Sequence, residues 1–123
     1  MKILIVEDDR KVAGFLEQGF REEQFEVAVA RDGDEALERA RAERFDLILL
    51  DYMLPRRSGP EVAAELRREG RTLPILMLTA RDDAHDIRTA LGAGVDAYVT
   101  KPFRFDDLLQ RVESMLPRSS HPA

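Results

Sequence analysis

A chain of 123 residues is about one domain, and folding at that size buries roughly two-thirds of the extended surface. There are 24 acidic and 19 basic residues, and the net charge of −5 argues against a nucleic-acid-binding surface, which needs clustered Lys and Arg. The absence of Cys excludes disulfides, thiol nucleophiles and thiolate metal sites, and two His exclude a His-rich one. The apolar runs are too short to span a bilayer, and Met1-Lys2 enters the first of them with no small-residue cleavage site. The expectation is a cytoplasmic domain that makes no membrane contact.

Five short apolar runs recur, each followed by residues at helical spacing. Ile3-Leu4-Ile5-Val6 is a continuous β-branched-rich run, as in a strand buried on both faces of a parallel sheet. Val12, Phe15, Leu16 and Phe20 then lie on one helical face. Val27 to Ala30 is the second strand, closed by the turn signal Asp32-Gly33. Ala36, Leu37 and Ala40 outline a helix with Asp34 as its expected N-cap. The third run, Leu47 to Leu50, stops at Asp51, and a breaker-rich loop (Leu54 to Pro60) leads to a helix bearing Val62, Ala63 and Leu66. Gly70 suits the end of that helix.

Pro74 begins the fourth run, Ile75 to Leu78, at a position where a strand tolerates proline. A weakly amphipathic helix from about Asp83 to Leu91 ends in Gly92 and Gly94, and Val95 to Val99 is the fifth strand, polar enough for an edge. Leu108, Leu109, Val112, Met115 and Leu116 form the last helical stripe, stopped by Pro117. Residues 1–117 thus make one domain, and 118–123 a loose tail or the start of a linker. Strict βα alternation predicts an α/β fold, a doubly wound parallel sheet with helices on both faces. Ligands of such sheets bind outside the carboxyl ends of the strands.

Those ends carry Glu7, Asp8 and Asp9 after the first strand, Asp51 after the third, Thr79 and Ala80 after the fourth, and Thr100, Lys101 and Pro102 after the fifth. Crowded carboxylates repel unless a cation compensates them, and hard oxygen donors without His or Cys suit Mg²⁺. Capping the first helix explains Asp9 well, and Glu7 and Asp8 less well. Capping fails for Asp51, because Tyr52-Met53-Leu54-Pro55 does not open a helix. Thr79 as an ordinary strand residue and Lys101 as a surface lysine are each common readings. Together, at adjacent strand ends, a hydroxyl and an ammonium could meet phosphoryl oxygens beside a metal ion. Neither G-x-x-x-x-G-K-[ST] nor G-x-G-x-x-G is present, and Glu7-Asp8-Asp9 would repel a phosphate at the first loop.

The segments Ile3 to Asp9, Leu49 to Pro55, Leu78-Thr79-Ala80 and Tyr98 to Phe103 resemble the signatures of bacterial response-regulator receiver domains, over roughly residues 2–116. The resemblance implies a five-stranded (βα)5 flavodoxin-like receiver fold with strand order 2-1-3-4-5. It implies Asp51 as acceptor of a phosphoryl group from a sensor histidine kinase. Mg²⁺ (or Mn²⁺) is then held by Glu7, Asp8, Asp51 and the backbone carbonyl of Met53. By the same resemblance Lys101 corresponds to the lysine that binds the acyl phosphate, beside an expected cis Lys101-Pro102 bond, Thr79 to the switch hydroxyl, and Tyr98 to the aromatic that turns inward with it. The chemistry is self-catalysed acceptance with slow hydrolysis, not an enzyme in the usual sense.

Within the family, Tyr52 to Pro55 and Lys101 to Leu109 are similar to the branch that precedes a winged-helix DNA-binding domain. That branch implies a homodimer on phosphorylation through the fourth helix, fifth strand and fifth helix. Asp96, Asp107 and Arg111 match its charged pattern, Ala97 departs from it, and DNA is contacted only by a following domain. Competing readings are a stand-alone receiver that relays phosphate or binds a partner protein, and a Mg²⁺-dependent phosphatase.

Overall fold

The computed structural model describes residues 1–80 and 84–116. Five βα units follow one another: β1 Lys2–Val6, α1 Arg10–Glu22, β2 Glu26–Ala30, α2 Gly33–Ala42, β3 Leu47–Asp51, α3 Gly59–Arg68, β4 Ile75–Thr79, α4 Ala84–Gly92, β5 Ala97–Thr100 and α5 Phe105–Met115. All neighbouring strands are parallel, in the order β2-β1-β3-β4-β5. Among the described residues no helix is long and apolar enough to cross a membrane.

The continuous apolar runs have a direct cause. Successive strand residues point to opposite faces, and both faces are covered. Leu4, Val6, Ile48, Leu50, Ile75 and Met77 pack against Ala36 and Leu37 of α2, Val62 and Leu66 of α3 and Ala90 of α4. The intervening Ile3, Ile5, Leu47, Leu49, Leu76 and Leu78 pack against Leu16 and Phe20 of α1 and Leu108 and Val112 of α5. Each fully buried aliphatic side chain stabilises the fold by roughly 1.5–3 kcal/mol before conformational entropy is charged against it. α1 and α5 meet where Phe105 lies over Gly19, so close that a Cβ there would stand 2.5 Å from the ring.

The local signals mostly hold. Asp9 caps α1, accepting from the backbone N–H groups of Lys11 (2.9 Å) and Val12 (3.2 Å). Gly70 follows α3 with φ +79°, a left-handed stop that suits glycine. The expected N-cap of α2 is corrected from Asp34 to Asp32. Asp32 is extended (φ −148°, ψ 172°) and accepts from the Glu35 N–H at 2.8 Å, whereas Asp34 lies inside the first turn. The fifth strand is corrected too: Val95 precedes it and bonds back to the Ala90 carbonyl at 3.2 Å, closing the end of α4. Val95 is buried as a loop residue, so its apolarity reports packing and not strand membership. The expected α4 start at Asp83, the stop at Pro117 and the tail 118–123 lie outside the described residues.

Candidate functional site

Strand register sets the site. Val6 pairs with Leu50, Asp51 with Leu78, and Thr79 with Thr100, so Glu7, Asp51, Thr79 and Lys101 stand together at the carboxyl edge. Glu7 extends β1 by one bond, its N–H donating to the Ala30 carbonyl at 3.0 Å. The Lys101 N–H does likewise to the Thr79 carbonyl at 2.8 Å. Glu7, Asp51 and Thr79 are the buried polar or charged side chains among the described residues.

Carboxylate oxygens of Glu7, Asp8 and Asp51 lie within 4.8 Å of one another. The Lys101 ammonium joins two of them. Lys101 Nζ is 3.0 Å from Asp51 Oδ1 and 3.3 Å from Glu7 Oε1. Glu7 also accepts the Asp9 N–H at 3.1 Å. Burial nevertheless dominates: it pushes the Glu7 carboxyl up to about 7, with Asp51 repulsion adding to it and the bonds from Asp9 and Lys101 only partly opposing it. Asp51 is likewise raised by burial, with Asp8 adding repulsion, against the bond from Lys101. Burial works against the Lys101 charge, but Asp51 and Glu7 outweigh it and raise that pKa. Among the described residues, Lys101 is the cation bonded to Glu7 and Asp51. The site's oxygen-only donor set fits a hard divalent cation such as Mg²⁺.

The remaining expected residues are placed as follows. Met53 lies two residues beyond Asp51 in the β3–α3 loop with its side chain exposed. That loop is fixed at its start, where the Tyr52 N–H donates to the Leu78 carbonyl and the Tyr52 carbonyl accepts from Gly59, both at 2.9 Å. The Lys101–Pro102 peptide bond is cis. Tyr98 is half-buried and packs on the α2, α3 and α4 side of the sheet. Asp96, Tyr98, Asp107 and Arg111 line one shallow depression along β5. Asp96, however, is engaged inside the protomer. Its Oδ2 accepts from Arg67 Nη2 at 2.9 Å and from the Ile75 N–H at 2.8 Å. Sequence reasoning missed Arg67, whose four polar contacts reach loops up to 29 residues away. A solvated arginine in the last turn of a helix carries the same local signature.

A doubly wound sheet in the order 2-1-3-4-5 with an acidic, metal-compatible carboxyl edge defines a flavodoxin-like fold. The profile of the family described as "Response regulator receiver domain" matches residues 3–113. The chain is 42% identical over 117 residues to the response regulator ArlR of Staphylococcus saprophyticus, covering 95% of this chain and 53% of that protein. It is 42% identical over 118 residues to the alkaline phosphatase synthesis transcriptional regulatory protein PhoP of Bacillus subtilis, covering 96% and 49%. It also superposes on the response regulator TrrA of Thermotoga maritima, solved in complex with Mg²⁺ and a beryllium fluoride, with a TM-score of 0.84, 35% identity and coverage of 94% and 98%. The chain belongs to the response regulator receiver domain family. It spans about half the length of the curated relatives it matches.

Proposed function

We propose that Asp51 accepts a phosphoryl group from the phosphohistidine of a sensor kinase and that the domain is a phosphorylation switch. One observation carries this reading: three carboxylates gathered within 4.8 Å, one of them 3.0 Å from the ammonium of Lys101. A buried carboxylate nucleophile must be ionised to attack, and Lys101 favours the ionised form of Asp51. As the bond from phosphorus to an Asp51 oxygen forms, the bond from phosphorus to the kinase imidazole breaks, and the neutral imidazole leaves. Glu7, Asp8, Asp51 and the backbone carbonyl of Met53 would hold Mg²⁺ (or Mn²⁺), which when bound supplies positive charge to the phosphoryl oxygens. Lys101 and Thr79 donate to those same oxygens. Slow hydrolysis returns the domain to its starting state, and turnover on external substrates is not its task.

The phosphoryl group adds about 1.5 to 2 negative charges to an edge where three carboxylates already gather. Thr79 and Tyr98, which strand alternation places toward the α4 face, relay the change to α4, β5 and α5. That face then supports homodimerisation, with Asp107 and Arg111 in its depression. The length and names of the relatives support a chain in which 1–117 is the receiver, 118–123 opens a linker, and a following winged-helix domain contacts DNA in the cytoplasm. Incubation with acetyl phosphate and Mg²⁺, followed by intact-mass measurement, tests the site. One phosphoryl adduct is expected, lost with EDTA or on Asp51→Asn. An adduct of equal yield on the Asp51→Asn protein overturns the assignment.

A further inference from the structure

We propose that Arg67 makes the junction between α4 and β5 a fixed pivot, so that switching moves α4 at its amino end and leaves Asp96 committed within the protomer. This rests on the reading that a change at Asp51 reaches the α4 face.

The pivot is a set of bonds at the amino edge of the sheet. From the last turn of α3, the Arg67 guanidinium donates to the Gly94 carbonyl (Nε, 3.0 Å), to the Arg71 and Leu73 carbonyls (Nη1, 2.9 Å each) and to Asp96 Oδ2 (Nη2, 2.9 Å). One planar cation therefore ties α3, the α3–β4 loop and the α4–β5 loop together. The backbone completes the corner. Gly94 N–H donates to the Leu91 carbonyl at 3.1 Å, and Asp96 N–H to the Ile75 carbonyl at 3.0 Å. Gly94 stands at φ +107°, and a Cβ there would lie 2.5 Å from Arg67 Cγ, so the arginine stem crosses a position that only glycine leaves open.

Asp96 repeats a device found elsewhere in the fold. Asp46, just before β3, donates its N–H to the Lys2 carbonyl at 2.8 Å and accepts the Lys2 N–H on Oδ2 at 2.7 Å. Asp96, just before β5, does the same with Ile75, accepting at 2.8 Å. In each case a carboxylate replaces the carbonyl that the first N–H of the neighbouring strand would otherwise lack. Asp96 is thus a strand clip reinforced by a cation, and an interface that recruits its carboxylate must compete with two internal donors. The other end of α4 faces the acceptor loop: Tyr52, next to Asp51, reaches Asp86 with its hydroxyl 3.5 Å from Oδ1. Motion that starts at Asp51 therefore enters α4 at Asp86 and is stopped at Gly94.

Two measurements test this, and they fail separately. In the unphosphorylated protein, Arg67→Met and Asp96→Asn should each lower Tm by about 3–6 °C, and the double variant should fall no further than the worse single one. Additive losses, or none, overturn the clamp whatever the domain's function. Hydrogen exchange is then compared with and without Mg²⁺ and beryllofluoride. Protection should change in residues 84–88 while 92–96 keeps its rate within about twofold in the native chain and changes in Arg67→Met. An equal change at 92–96 in the native chain overturns the pivot but keeps the switch. No change anywhere overturns the switch reading and the pivot with it, leaving the clamp to the Tm cycle.

Discussion

The two edges of the sheet treat charge in opposite ways. At the amino edge three carboxylates near strand starts have matched donors: Asp46 takes the Lys2 N–H, Glu43 takes Lys2 Nζ at 2.7 Å, and Asp96 takes Arg67 and the Ile75 N–H. At the carboxyl edge Glu7 and Asp51 share the Lys101 ammonium with a third carboxylate, Asp8, beside them, and burial leaves Glu7 and Asp51 harder to ionise than in water. The same residue type, Asp, is internally bonded scaffold at one end and part of a metal-compatible cluster at the other. The difference lies in whether the local donors satisfy it. Charge left unsatisfied inside a fold costs stability, and it is retained where a ligand completes it.

The largest expected effect breaks the carboxyl edge. Asp8→Asn removes one of three anionic donors, and Mg²⁺ affinity measured by calorimetry should fall at least tenfold, since ligand charge count sets affinity for hard cations. The stabilisation by Mg²⁺, about 2.7 kcal/mol at a hundredfold excess over Kd, should shrink accordingly in thermal scans.

Next is pH. The Glu7 carboxyl titrates at about 7 in the metal-free fold against an ordinary 4.5, and bound metal requires it ionised. Mg²⁺ affinity should therefore weaken below pH 7, approaching about tenfold per unit. Stability of the metal-free protein runs the other way. Between pH 4.5 and 7 the folded state holds more protons at Glu7 than the unfolded state, so this group adds stability as pH falls through that window. A Tm series with EDTA should show the rise, and Glu7→Gln should flatten it.

A smaller effect comes from the backbone behind Asp51. A Cβ at Gly59 would stand 2.5 Å from the Asp51 carbonyl oxygen, so Gly59→Ala displaces the end of β3. It should cost roughly 1–3 kcal/mol in denaturant unfolding and also slow acetyl phosphate labelling. The smallest is Glu43→Gln, which breaks a half-exposed pair with Lys2 and should move Tm by less than about 2 °C.

Legibility in the sequence follows the same division. The central strands β1, β3 and β4 were readable because both faces of each are buried, which makes their apolar runs continuous. The carboxyl edge was readable because each of its residues follows a strand directly, so topology alone gathers them. The N-cap of α2 was misplaced because Asp32 and Asp34 flank Gly33 and both suit a cap; only the extended backbone of Asp32 distinguishes them. Val95 misled because burial of a loop residue looks like strand continuation. The internal partners of Asp96, Arg67 and Ile75, lie 29 and 21 residues away with no local pattern to announce them. Long-range satisfaction of charge is what a linear reading sees least.

The central claim is that equal chemical changes at the two edges have opposite signs. Thermal unfolding at pH 8 in EDTA, for Glu7→Gln and Asp96→Asn beside the native chain, measures it directly. Neutralising Glu7 should raise Tm, because the fold already favours its uncharged form, and neutralising Asp96 should lower it by about 3–6 °C. A fall in both variants, or a rise in both, contradicts the account.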